Sequence, residues 1–281
     1  MNLMEILKSV VQGIVQGITE WLPISSTGHI LLLDSIWPMN VDKDFFDVFK
    51  VLIQLGSILA VLVLYFHKLN PLSPKKTIEQ KRDTWKLWAK VLIASVPAAV
   101  VGLAIDDLVD NVLGIPEVIA ATLLIYGVLF IWLESRNKTP KIHGFDEMSY
   151  KTALFIGMFQ MLALIPGTSR SGSTILGAVL LGCSRYVAAE FSFFMAIPAM
   201  FGASALKLVK YVFEHQGLTF TLEEWVILAV GFVVSFVVSL LVIRFLMSYI
   251  KKHDFKPFGW YRIALAIVIA AVLIFAPTVF K

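Results

Sequence analysis

Six runs of apolar residues, at about 48–67, 87–105, 117–135, 187–212, 225–247 and 262–280, are each long enough to cross roughly 30 Å of hydrocarbon as a helix. Lipid offers no partner to a backbone N–H or C=O, so segments of this kind satisfy themselves as helices and the chain is expected to be all-α. Composition agrees: of 281 residues, 58% are hydrophobic and 16% charged, and the mean hydropathy of +0.81 leaves too little polar surface for a soluble domain. The net charge of +4 is small, and nucleic acid is not expected as a partner. A lone Cys183 inside an apolar stretch excludes an intramolecular disulfide and reads as a small core residue. The opening MNLMEILKSVVQGIVQ has neither a basic cluster nor a small-residue cleavage site, so no signal peptide is expected.

Two further apolar regions, 3–38 and 151–184, are broken midway by PISSTGH (23–29) and PGTSRSG (166–172). Neither half of either region is long enough to span, so each reads as a re-entrant helix–turn–helix segment, entering and leaving on one side. Loop charges orient the spans. Lys68, Lys75, Lys76, Lys81, Arg82 and Lys86, then Arg136, Lys138 and Lys141, then Lys251, Lys252 and Lys256 mark three cytoplasmic loops. The alternate loops carry Asp106, Asp107, Asp110 and Glu117, and Glu214, Glu223 and Glu224. This assignment puts both termini outside, the first re-entrant segment entering from outside and the second from the cytoplasm. The chain therefore divides into two units of opposite orientation, 1–135 and 150–281, each a re-entrant segment plus three spans: an inverted repeat within one membrane domain. A faint echo aligns Pro23-Ile-Ser-Ser26 with Pro166-Gly-Thr-Ser169 and places both turns near the midplane.

The turns carry the chemistry. Gln16 and Glu20 are four residues apart, so both project from one helical face, and Ser25, Ser26, Thr27, Gly28 and His29 follow. An ionisable residue inside a membrane costs several kcal/mol unless paired or hydrated, which makes Glu20 and His29 functional candidates. The second turn offers Thr168, Ser169, Arg170, Ser171, Ser173 and Thr174 among Gly167, Gly172 and Gly177. Hydroxyls, exposed amides and the planar fork of Arg170 suit a phosphate, so this turn reads as an anion cradle. Plainer readings stand beside these. Membrane serines and threonines commonly bond their own backbone, which fits Ser25, Ser57 and Ser173; Arg170 could form an internal ion pair with Glu20 or Glu190. His67, His143, His215 and His253, with the Trp and Tyr residues at 85, 88, 132, 225, 260 and 261, read as interfacial. Glu190, early in a span, is expected to support the cradle.

Over essentially its whole length the chain resembles the undecaprenyl-diphosphatases, integral membrane phosphatases of bacteria linked to bacitracin resistance. The carrying motifs are QGITEWLPISSTGH (16–29), FKVLIQLGSILAVL (49–62), ALIPGTSRSGSTI (163–175), AAEFSFFMAIPAM (188–200) and KPFGWYRIALAI (256–267). The family's paired acidic motif has an amide, Gln16, at its first position here, leaving Glu20 as the sole acid of the pair. The resemblance implies hydrolysis of undecaprenyl diphosphate to the monophosphate and inorganic phosphate, returning the lipid carrier to peptidoglycan synthesis in the bacterial cell membrane, with the active site open to the extracytoplasmic side. Catalytic roles would fall to Glu20, Ser26, His29 and Arg170, and substrate binding to Gln16, Thr27, Ser169, Ser171 and Thr174. Glu20 would take a proton from Ser26 or a water, while His29 orients the attacking group, protonates the leaving phosphate or itself attacks. No protein metal site is expected, a divalent cation (Mg or Ca) is admitted as an aid, and a homodimer is admitted as an assembly. A different class also fits the topology: inverted repeats with broken helices meeting at the midplane are what a secondary transporter or lipid flippase would use, with Glu20 coupling protons.

Overall fold

The computed structural model describes residues 2–108, 115–136 and 138–276, and the side chains of all of these except 105–108. Asp110, the side chains of Asp106 and Asp107, and the last residues of the sixth expected span lie outside this description. Among the described residues there is no β-strand, only one isolated bridge between Ile142 and Cys183.

Six helices are long and apolar enough to cross a membrane: α3 (Lys43–Leu64), α5 (Ile78–Leu108), α6 (Pro116–Ser135), α9 (Arg185–His215), α10 (Leu222–Tyr249) and α11 (Lys256–Phe275). Several outrun the apolar runs that announced them. Helix α5 starts nine residues early because Thr77 and Gln80 cap each other's backbone N–H groups, at 3.0 and 3.2 Å, and the charged residues behind them are good helix formers. The short α4 (Phe66–Leu69) links α3 to this loop.

The two interrupted regions fold as helix–turn–helix hairpins, α1 (Leu3–Thr19) with α2 (Ser26–Ile36) and α7 (Tyr150–Met161) with α8 (Arg170–Leu180). Their helices of 17, 11, 12 and 11 residues are all shorter than the six spans. Helix α1 packs along α10, α7 along α5, and α6 along α11. The first helix of each hairpin thus lies against the middle span of the other half of the chain, a reciprocal arrangement.

Close helix approach explains these pairs. Ser9, Gly13 and Gly17 of α1 face Gly231, Ser235 and Ser239 of α10; a Cβ on Gly13 would lie 2.7 Å from the Gly231 carbonyl oxygen, and Ser9 Oγ donates to Ile227 O at 2.6 Å. Small residues spaced by four let backbones touch, which is how helices associate when lipid supplies no hydrophobic drive. Helix α1 is inverted in character relative to a soluble helix: its buried faces carry Glu5, Lys8, Ser9, Gln12, Gln16 and Thr19, whereas Leu3, Met4, Leu7, Ile14 and Ile18 are exposed.

The ends of the bundle differ in charge. At one end the 68–77 and 138–149 segments meet the start of α9, where Arg185 pairs with Glu134, whose carboxylate also accepts from Phe255 N at 3.1 Å. At the other, Asn2 N donates to Glu223, His215 lies 3.3 Å from Asp44, and Lys207 reaches Asp47. The basic loops expected on a common side are gathered at a common end.

Candidate active site

Each hairpin turn ends in the same device. Ser25 and Ser169 hold positive φ angles of 73° and 72°, unusual for a residue with a Cβ, and each caps the following helix by accepting the N–H three residues on, Gly28 at 3.4 Å and Gly172 at 3.1 Å. The structural equivalents are therefore Ser25 and Ser169, one residue away from the alignment the sequence suggested. Ser26 corresponds to Arg170, the first residue of each helix. Both helices present free N-terminal amides, the usual setting for an anion.

A buried arginine that the sequence reading left without a role ties the turns together. Arg262 of α11, fully buried, donates from Nη1 to Pro23 O at 2.9 Å and from Nη2 to Gly167 O and Thr168 O at 2.9 and 2.8 Å. Its guanidinium also lies 5.4 Å from the Tyr126 ring centroid. One planar fork thus spans carbonyls from both hairpins. The signal was available: an arginine inside an apolar span meets the same criterion that singled out Glu20.

Glu20 sits at the crossing of the turns, 5% exposed. Its Oε2 accepts from Gln16 Nε2 and from Ser26 Oγ, both at 2.9 Å, and its Oε1 accepts from Arg170 Nη2 at 3.2 Å. Arg170 Nη1 donates to Ser192 O at 2.8 Å, the guanidinium lies 5.8 Å from the Trp21 ring centroid, and Nε has no partner among the described residues. Ser171 Oγ reaches back to Glu20 O and Leu22 O at 3.1 and 3.3 Å, and contacts Ser169 Oγ at 3.2 Å. Thr174 Oγ1 bonds Arg170 O at 2.8 Å and Ser192 Oγ at 2.7 Å. Gln16, Glu20, Ser26, Ser169, Arg170, Ser171 and Thr174 therefore form one connected cluster. Thr27 is exposed at the start of α2, outside it.

One expectation is revised. Glu190 does not reach the cradle: it pairs with Lys68 at 2.7 Å, and its neighbour but one, Ser192, holds Arg170 and Thr174 instead. Residues two apart on a helix face nearly opposite directions, which is why Glu190 turns away. His29 is near the cluster but not bonded to the carboxylate. Its Nδ1 lies 2.7 Å from Ser25 O and its Nε2 2.7 Å from Tyr261 OH, with the two rings parallel to within 5°. A carbonyl can only accept, so Nδ1 carries hydrogen, and Nε2 shares a hydrogen bond with the tyrosine hydroxyl. Ser25, Ser57 and Ser173 bond as structural residues do: a cap, a contact of 2.6 Å with Ser235, and a bond to Arg170 O.

Beside His29 opens a cavity of about 490 Å³ lined by Val15, Ile18, Leu22, Ile24, Phe258 and Tyr261. It is apolar except near the histidine. Among the described residues no three His, Cys, Asp or Glu side chains gather where they could hold a metal ion.

A buried carboxylate that accepts from a serine and from a guanidinium, two helix N-termini and an adjoining apolar groove come together in a polytopic membrane protein. Residues 9–268 match the family described as bacitracin resistance protein BacA, and the chain belongs to that family. It is 59% identical over 270 residues to undecaprenyl-diphosphatase 1 of Clostridioides difficile (strain 630), covering 96% of this chain and 97% of that one. It is 60% identical over 269 residues to the undecaprenyl-diphosphatase of Lactiplantibacillus plantarum, covering 95% and 97%, and 54% identical over 271 residues to that of Enterococcus faecalis, covering 96% and 98%.

Proposed function

We propose that this protein hydrolyses undecaprenyl diphosphate to undecaprenyl phosphate and inorganic phosphate, recycling the lipid carrier for peptidoglycan synthesis. The observation that carries the reading is the 2.9 Å hydrogen bond from Ser26 Oγ to a Glu20 carboxylate that Arg170 also contacts. Nucleophile, base and charge-neutralising cation are then within one hydrogen-bonded group, which is what phosphoryl transfer needs. The relatives' names support the substrate, and the apolar groove supports a prenyl chain entering from the side.

In this reading Glu20 takes the Ser26 proton as Oγ attacks the terminal phosphorus. The bridging P–O bond breaks and its electron pair leaves with undecaprenyl phosphate. Glu20 passes that proton to the departing lipid phosphate, and the regenerated carboxylate takes a proton from the water that attacks the phosphoserine. The Oγ–P bond then breaks, Glu20 returns the proton to Ser26 Oγ, and inorganic phosphate departs. Arg170 Nε and the amides of α2 and α8 stabilise the transferring phosphoryl group, with Ser169, Ser171 and Thr174 holding Arg170 and the turn in place. Gln16 keeps the Glu20 carboxylate oriented, and Thr27 meets the headgroup at the mouth. His29, with Nε2 facing the groove, serves the leaving phosphate rather than the serine. An Mg or Ca ion would arrive chelated by the diphosphate, because Glu20 is the one carboxylate present and cannot hold an ion alone.

The buried stripe Gln16, Gln12, Lys8 and Glu5 runs back along α1 toward the acidic end of the bundle, and Gln12 has two side-chain atoms without protein partners, as water-lined surfaces do. This supports a site open to the extracytoplasmic side, opposite the basic loops. A homodimer is proposed on the resemblance alone, to be read from the mass of the detergent-solubilised particle.

The test is phosphate release from the long-chain prenyl diphosphate by purified protein in detergent. Wild type should turn over, while Glu20→Gln should still bind the lipid and hydrolyse it at least a hundredfold more slowly, equivalent to about 2.7 kcal/mol. Absent hydrolysis by wild type, with proton-coupled lipid movement in liposomes, would establish the transporter reading instead.

A further inference from the structure

A second cavity, of about 710 Å³, lies at the basic end of the bundle between the 68–76 segment, α5, the 143–146 loop and the first turns of α9. Four lysines line it. Two are paired, Lys68 with Glu190 at 2.7 Å and Lys86 with Asp83 at 3.0 Å. The other two bond only neutral oxygens: Lys76 Nζ donates to Lys68 O at 3.0 Å and Thr84 Oγ1 at 2.6 Å, and Lys90 Nζ to Phe145 O at 2.6 Å. Lys90 is 6% exposed, and neither ammonium has a carboxylate within ion-pair distance among the described residues. Asp83 and Asp146 line the same cavity and act on Lys90 only from beyond ion-pair distance, so an ammonium this buried still lacks a contact counter-ion.

The opposite deficiency sits in the same wall. Glu190, 1% exposed, spends Oε2 on Lys68, while Oε1 has no hydrogen-bond partner among the described residues. A ligand completing both deficits presents anionic oxygens to Lys76 and Lys90 and a hydroxyl donor to Glu190. A zwitterionic choline headgroup brings a cation toward lysines and no hydroxyl, whereas a hydrogenphosphate ion and a phosphoglycerol headgroup share the required chemistry. The cavity's depth in the bundle names the source. Leu87, where the apolar run of α5 begins, is in its lining, with Lys86 one residue outward and Trp85, 57% exposed, next to it; Tyr186 stands on the α9 side. Tryptophan, tyrosine and lysine at the polar–apolar boundary mark the headgroup level, and basic pockets between helices at that level take anionic lipid headgroups.

We propose that this cavity is a site for an anionic phospholipid whose headgroup carries a free hydroxyl, of the phosphatidylglycerol type, with its phosphate on Lys76 and Lys90 and the hydroxyl on Glu190 Oε1. It is separate from the cradle: Glu190 and Ser192 are on opposite faces of α9, the first in this cavity, the second holding Arg170.

The site can be tested without reference to hydrolysis. Protein in neutral detergent is titrated with phosphatidylglycerol, phosphatidylethanol (same charge, no hydroxyl) and phosphatidylcholine, and bound lipid is counted by native mass spectrometry beside thermal unfolding. Phosphatidylglycerol should bind with one copy per chain, ahead of phosphatidylethanol and well ahead of phosphatidylcholine. Lys76→Gln, on the partly exposed rim, should weaken it about fivefold to tenfold. Glu190→Gln should abolish the preference over phosphatidylethanol, and both variants should unfold as cooperatively as wild type. Equal binding of phosphatidylglycerol and phosphatidylcholine, or unchanged binding by Lys76→Gln, would overturn the site. Binding of soluble glycerol 1-phosphate without binding of the lipid would overturn the lipid as its occupant.

Discussion

Arg262→Lys keeps the positive charge in place and removes only the fork, so it isolates what the fork contributes. The arginine makes three hydrogen bonds to carbonyls in two separate turns, Pro23 O from one nitrogen and Gly167 O and Thr168 O from the other. A lysine has a single nitrogen and cannot stand between both turns. At best it retains one bond and leaves the other carbonyls buried and unpaired. Hydrogen bonds to a charged donor contribute about 1.5–3 kcal/mol each, so losing two costs about 3–6 kcal/mol. At about 1.4 kcal/mol per tenfold, the assembled pair of turns becomes less populated by about two to four orders of magnitude. Since Glu20 and Ser26 belong to one hairpin and Arg170 to the other, hydrolysis should fall with it. Thermal unfolding in detergent, followed by intrinsic tryptophan fluorescence, should move to clearly lower temperature, and phosphate release should drop at least a hundredfold. An Arg262→Lys protein that melts and turns over like wild type would refute the reasoning that this residue fastens the hairpins to each other.

Arg170→Lys should lose tenfold to a thousandfold in phosphate release although charge is kept, because a point ammonium cannot serve Glu20, Ser192 O and a phosphate oxygen together; near-normal turnover would reduce Arg170 to a structural ion pair. Tyr261→Phe removes the hydroxyl bonded to His29 Nε2 and keeps the stacked ring, so binding should persist while turnover falls severalfold and its pH dependence changes; an unaltered pH–rate curve would separate His29 from the chemistry. At Gly157 an added Cβ would lie 2.1 Å from the Ala94 carbonyl oxygen, so Gly157→Val should force α7 off α5 and give little folded protein, checked by gel filtration in detergent. On a Cys183→Ser background, a cysteine at position 76 should resist an impermeant reagent in intact cells, and ready labelling there would reverse the proposed orientation.

The six spans were legible because burial in lipid writes itself as unbroken apolar length, and the hairpins because polar turns interrupt two such stretches. Glu20, Ser26 and Arg170 were legible for a related reason: ionisable and hydroxyl groups where the membrane should exclude them need a purpose. Other features left weaker traces. Arg262, inside an otherwise apolar run, meets the criterion that singled out Glu20, but nothing local names carbonyls more than ninety positions away as its partners. The positive φ of Ser25 and Ser169 is invisible, since neither is glycine, and without it the turns align one residue out of step. Nothing local shows that His29 bonds the carbonyl four residues back and turns its ring toward α11. Glu190 was assigned to the wrong face of α9 for want of a register.

The inverted polarity of α1 has a consequence for how the chain is made. A helix whose concealed side carries Glu5, Lys8, Gln12 and Gln16 cannot settle in lipid by itself, because leaving those groups unpartnered in hydrocarbon costs far more than Leu3, Met4, Leu7 and Ile14 return. Its cover is α10, the fifth of the six spans to leave the ribosome. Helix α1, made before α10, must therefore wait at the membrane surface, or beside the insertion machinery, until α10 follows. Glu20 enters its final surroundings only then. A chain cut short before α10 should be inserted yet inert, and burial of the Glu20 carboxylate becomes a late checkpoint in biogenesis rather than an early one.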